Sequence, residues 1–112
     1  MDERILKWLF DIQIAIDEID GFFLGKERDF NEYKKNLMLK RAVERNLEII
    51  GEAVNRIIKK QPDFPISDSY LIIGTRNRII HGYDVISDDL IWSILENNLP
   101  KLKNEVSQLL GE

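Results

Sequence analysis

Apolar side chains recur along this chain at steps of three and four, and that spacing restricts its fold more than any other feature. Ile5, Leu9 beside Trp8, Ile12, Ile16, Ile19 and Phe23 form the first stripe, the core-facing edge expected of a helix turning about 100° per residue. Gly21 and Gly25 mark its end. A second helix is expected to start from a cap at Asp29 or Asn31 and to carry Leu39, Val43, Leu47, Ile50, Val54, Ile57 and Ile58 on one side. Lys59 and Lys60 fall in its last turn, where cations complement the helix dipole.

The stretch QPDFPISDS then interrupts with two prolines. Ser67 or Asp68 is placed to cap a third, shorter helix through Leu71, Ile72 and Ile79, and Gly82 ends it. Ser87, followed by Asp88 and Asp89, reads as a fresh cap with acids in the first turn. The last helix has Ile91, Ile94, Leu95, Leu99, Leu102, Val106 and Leu109 on one stripe, with a kink or break expected at Pro100. No stretch alternates with period two for long enough to form a strand. The expected fold is therefore all-α, an up-and-down bundle of four or five helices. One domain over residues 1–112 is expected, with Trp8, Trp92 and the phenylalanines packed in the core.

The same reading narrows the function classes. The chain has no cysteine, so disulfides and thiolate metal sites are excluded. No apolar run approaches the roughly twenty residues of a membrane span. The start, MDERILKWLF, lacks the pattern of a secretory leader, so a cytoplasmic location is expected. The net charge of −4 hides a local excess: residues 26–60 carry ten basic and six acidic side chains. Lys34, Lys35, Lys40, Arg41 and Arg45 in that stretch could steer a nucleic acid, or could simply be a solvated face laced with ion pairs.

The chemistry concentrates in TRNRIIHGYD, residues 75–84, which holds the single histidine of the chain. Imidazole exchanges a proton near neutrality, and guanidinium grips phosphate while staying charged. Arg76 and His81 could therefore break a phosphodiester, the imidazole moving the proton and the guanidinium stabilising the charged transition state. RNA is the favoured substrate because its 2′-hydroxyl is a built-in nucleophile, and no metal-ligand spacing accompanies the pair. On a helix Asn77 and His81 share a face, whereas Arg76 and His81 differ by about 140°. One histidine per chain cannot be both base and acid, so a two-fold homodimer contributing two copies of the pair is expected. The plain alternative is an exposed histidine near a surface arginine, which spacing alone does not exclude.

RNRIIHGY resembles the motif of the HepT-like branch of the HEPN helical-bundle family: an arginine, a polar residue, a histidine a few positions on, and a tyrosine two later. AVERNLEIIGEAVNRI (residues 42–57) is similar to that family's second helix, and residues 65–102 to the remainder. The resemblance implies a metal-independent endoribonuclease that is the toxin of a toxin–antitoxin pair. It implies catalytic roles for Arg76 and His81, a supporting role for Asn77 and no cofactor. It further implies a nucleotidyltransferase antitoxin of the MntA type that attaches AMP to Tyr83. The alternative function is a non-catalytic subunit that binds a nucleotide or the nucleotidyltransferase. Glu52, in IIGEA, either orients the Arg–His pair or forms an ordinary ion pair with Arg56 one turn on.

Overall fold

A computed structural model describes residues 1–82 and 86–112. Among them the chain is all-α. Helix α1 spans Glu3–Phe22, and Asp2 caps it by accepting hydrogen bonds from the Arg4 and Ile5 amides at 2.8 and 3.2 Å. Its stripe of Ile5, Leu9, Ile12, Ile16 and Ile19 is buried. The helix runs one residue past Gly21, and Gly25, with φ of 76°, makes the left-handed turn beyond it.

The expected single second helix is two. Helix α2 covers Phe30–Lys35 and α3 covers Leu37–Lys60. Asn36 separates them with an extended backbone (ψ 92°) while its side chain accepts from the Leu39 amide at 3.0 Å. Asparagine competes for backbone groups in this way, which favours a cap over a helix interior. The break lets Tyr33 turn inward and become fully buried.

Helix α4 covers Ser69–His81 and ends on Gly82, whose φ of 64° is the left-handed conformation that suits glycine after a helix. Neither expected cap operates at its start. Asp68 holds the cap position but accepts from Asn98 at 2.9 Å, and the Ser67 hydroxyl donates to Glu105 at 2.8 Å. Both side chains tie the loop to the C-terminal segment instead.

That segment begins with α5, Asp88–Ser93, capped by Ser87, and ends with α6, Leu99–Leu109. Between them Ile94–Asn98 form one π-helical turn, in which the Leu99 amide reaches back to the Ile94 carbonyl. The expected break at Pro100 takes this form. In the widened register the next donor would be residue 100, a proline with no N–H, so the Leu95 carbonyl loses its partner. Arg28 supplies one, its Nη1 donating to that oxygen at 3.3 Å, while it also pairs with Asp20 at 2.8 Å.

Helix α3 is central. It packs against both α1 and α4, and α6 lies against α1. Lys60 at the end of α3 pairs with Asp2 at the start of α1, as antiparallel neighbours do. The body measures 42 × 34 × 18 Å. Trp92 packs against Phe23, Phe30 and Tyr33 with ring centroids 5.3 to 6.0 Å apart. Trp8, like Trp92, is half-buried and packs against the core, whereas Phe10 is exposed. No helix among the described residues is long and apolar enough to cross a membrane.

Candidate active site

Helix α4 packs on α3 with Ile72 and Thr75 buried and Ile79 half-buried, and at Gly51 the two helices come into close contact. A Cβ at that glycine would stand 2.8 Å from Arg76 Cγ and 3.2 Å from the Ile72 carbonyl, and nearer still to Arg76 Cβ. A glycine inside a helix costs about 1 kcal/mol relative to alanine, so it needs a compensating role. Here the missing side chain is the space into which the stem of Arg76 packs.

The residue after that glycine receives the arginine's head. Glu52 forms an ion pair with Arg76 Nη2 and accepts from Arg56 Nε at 2.9 Å. Glu52 therefore makes the expected ion pair within its own helix and a second one to the motif arginine. On the other side Arg76 Nη1 donates to Asn77 Oδ1 at 2.9 Å. The guanidinium is held from two directions, with 22 % of the side chain exposed. Its Nε is buried and has no hydrogen-bond partner among the described residues. A bidentate-capable group held this way loses little further freedom when it meets an anion.

His81 is the last residue of α4 and is exposed to solvent. Asn77 lies one turn before it on the same face, as the four-residue spacing requires. The structure thus joins Arg76 directly to Asn77 and sets His81 at the open end of the same helix. Tyr83 lies outside the described residues. Three apolar side chains of α4 are exposed, Tyr70 at 88 %, Leu71 at 40 % and Ile80 at 41 %. Leu71 and Ile80, nine residues apart, flank the exposed side from opposite edges. A Cβ at Gly74, in the middle of that side, would meet nothing.

The basic stretch is mostly engaged in ion pairs. Lys40 pairs with Asp88, Arg41 with Glu44 and Arg45 with Glu48, at 3.0 to 3.5 Å, and Lys34 lies over the Phe30 ring. The solvated-face reading describes it better than a continuous positive track. Arg78 is exposed beside His81. No group of three or more histidine, aspartate or glutamate side chains is gathered among the described residues in a way that could hold a metal ion.

Sequence reasoning missed Gly51 and the cleft beside it. The signal for the glycine was present, because a mid-helix glycine flanked by good helix formers marks a close approach more often than chance. The cleft had no linear signal, since Trp8, Arg56 and Arg76 come from three helices.

Residues 12–109 match the family model described as "Ribonuclease HepT-like". A protein of Methanocaldococcus jannaschii named "Putative RNase MJ1380" is 38% identical over 111 residues, covering 95% of this chain and 97% of that one. One from Caldanaerobacter subterraneus subsp. tengcongensis, "Putative RNase TTE0752", is 34% identical over 96% of this chain and 89% of its own length. A third, "Probable ribonuclease HepT" of Thermococcus cleftensis, is 29% identical over 91% and 92%. No solved structure matches the chain.

Proposed function

The chain belongs to the HepT-like ribonuclease family, and from that premise we propose that it cleaves RNA internally, without a metal, through Arg76 and His81. The observation that carries the reading is the guanidinium of Arg76, clamped between Glu52 and Asn77 on the helix whose open end bears His81. In the reaction the 2′-oxygen attacks the adjacent phosphorus, and its proton passes to an imidazole acting as base. The bond from phosphorus to the 5′-oxygen breaks, and an imidazolium gives that oxygen a proton. The products are a 2′,3′-cyclic phosphate and a free 5′-hydroxyl. Arg76 neutralises the charge that builds on the non-bridging oxygens.

Base and acid are two imidazoles, and each chain has one. A homodimer formed through the exposed face of α4 supplies both. Support comes from the apolar Tyr70, Leu71 and Ile80 on the helix that carries Asn77 and His81, with Gly74 leaving room for close approach. Ile80→Glu is expected to dissociate the pair and abolish cleavage together, as seen by sedimentation and gel assay.

The cellular role follows the motif resemblance: a toxin neutralised when a nucleotidyltransferase partner attaches AMP to Tyr83. An adenylyl group two residues from His81 adds negative charge and bulk where a substrate phosphate would sit. Mass spectrometry after incubation with the partner and ATP is expected to locate the adduct on Tyr83, and an adduct found only elsewhere would refute this. His81→Ala is expected to abolish RNA cleavage in chelator-treated protein while leaving fold and assembly intact. Cleavage that survives the substitution would remove His81 from the mechanism. Tight ATP binding with no RNA turnover by the wild type would favour a non-catalytic, nucleotide-binding subunit.

A further inference from the structure

A cleft of about 330 Å³ opens between α1 and α3, and Arg76 forms part of its wall from α4. Its size lies at the lower end of the range for small-ligand sites. The half-buried indole of Trp8 also lines the cleft, together with the apolar side chains of Ile49 and Ala53.

The charges lining this cleft do not describe a phosphate site. Arg45, Arg56 and Arg76 are matched by Asp11, Glu48 and Glu52, so the formal charges cancel. A neutral pocket with both donors and acceptors beside an aromatic face suits the edge and face of a nucleobase. The six groups are also unequally committed. Glu52 is held by two arginines. Among the described residues Asp11 pairs only with Lys7, at 2.7 Å, and Lys7 is 71 % exposed. Glu48 pairs, among the described residues, only with the exposed Arg45, at 3.5 Å. Such surface pairs are weak and exchange readily for other donors. Asp11 and Glu48 are therefore the carboxylates that can turn to a ligand.

We propose that this cleft binds an unpaired base of the RNA, stacked on Trp8 with its donor edge toward Asp11 or Glu48, beside the phosphate gripped by Arg76. The inference rests on the ribonuclease reading and adds to it a base preference. A carboxylate accepts two parallel hydrogen bonds from the N1–H and exocyclic amine of guanine. Uracil offers it one N–H between two carbonyls that repel it. Guanine is the preferred occupant and uracil the poorest.

The test uses the full-length His81→Ala protein, titrated with guanosine and uridine monophosphates while tryptophan fluorescence is followed. Saturable quenching is expected at roughly ten-fold lower concentration for the guanosine nucleotide, a factor within the range for carboxylate recognition of a paired donor edge. The quenching is expected to persist in Trp92→Phe and to vanish in Trp8→Phe. With otherwise wild-type protein, Trp8→Ala is expected to raise KM for RNA roughly ten-fold or more, the usual loss on removing a stacking partner, with kcat little changed. Trp8→Phe is expected to recover most of that loss, because it keeps a stacking face. Equal response to both nucleotides, quenching that survives in Trp8→Phe, or unchanged KM in Trp8→Ala would each overturn the base site while leaving the ribonuclease reading intact. Guanosine-specific quenching on Trp8, together with a wild-type protein that cleaves no RNA, would uphold the base site and overturn the ribonuclease reading.

Discussion

Replacing Gly51 by alanine separates the positioning of the site from the stability of the fold. The new methyl would sit 2.8 Å from Arg76 Cγ and 3.2 Å from the Ile72 carbonyl. Carbon atoms in contact prefer about 3.5–4.0 Å, so α4 must retreat by roughly 1 Å or Arg76 must leave its rotamer. Overpacking of this kind costs about 1–3 kcal/mol. Alanine returns about 1 kcal/mol through its helix propensity, leaving a net destabilisation of about 0–2 kcal/mol. Activity is expected to suffer far more, because a misplacement of about 1 Å at a reacting centre can cost 10²-fold. Thermal unfolding and single-turnover RNA cleavage, run on the same preparation, measure the two effects. Gly21→Ala is the control: a Cβ there meets nothing, so it is expected to raise stability by about 0.5–1 kcal/mol with cleavage unchanged. If Gly51→Ala melts higher than wild type and cleaves at the wild-type rate, the close approach of α3 and α4 does not position Arg76.

Three further substitutions test the rest of the fold. Tyr33 is fully buried, its hydroxyl has no hydrogen-bond partner among the described residues, and burial pushes its phenol above the ordinary 10.0, aided by the carboxylates of Glu44 and Asp88. Tyr33→Phe is expected to raise stability by about 1 kcal/mol in urea titration, by removing an unsatisfied polar group; a loss would point to a hidden partner. Arg28→Ala removes the donor that replaces the missing N–H of Pro100, and with it the packing of the guanidinium 4.8 Å over the Phe23 ring. A loss of about 2–3 kcal/mol is expected, with Arg28→Lys recovering only part; an unchanged midpoint would show that the π turn needs no such donor. The Asn98 amide, assisted by Lys101, holds the Asp68 carboxyl below its ordinary 3.8. A depressed carboxylate stabilises the fold above the unfolded value and ceases to do so as pH falls through the folded one. The stability gap between wild type and Asp68→Ala is therefore expected to be widest near neutrality and to narrow as the pH falls below the ordinary 3.8.

Sequence alone was enough for the helices and several of their ends, because those depend on interactions a few residues long. The apolar stripe of Ile5, Leu9, Ile12, Ile16 and Ile19 needs only a 3.6-residue turn and water to define a buried face. Caps at Asp29 and Ser87 need only a side-chain oxygen within reach of the next amides. The motif around Arg76 and His81 was legible for the same reason, as was the pairing of Glu52 with Arg56. Local rules failed where an alternative partner lay elsewhere in the chain. Asp68 left its own helix for Asn98, and Arg28 crossed to a carbonyl 67 residues away. Tertiary packing also decided that Gly51 admits Arg76, that Glu52 serves two arginines, and that Trp8, packed against the core, also lines a cleft. Each of these depends on the distance between two helices, and no spacing along one helix encodes that distance.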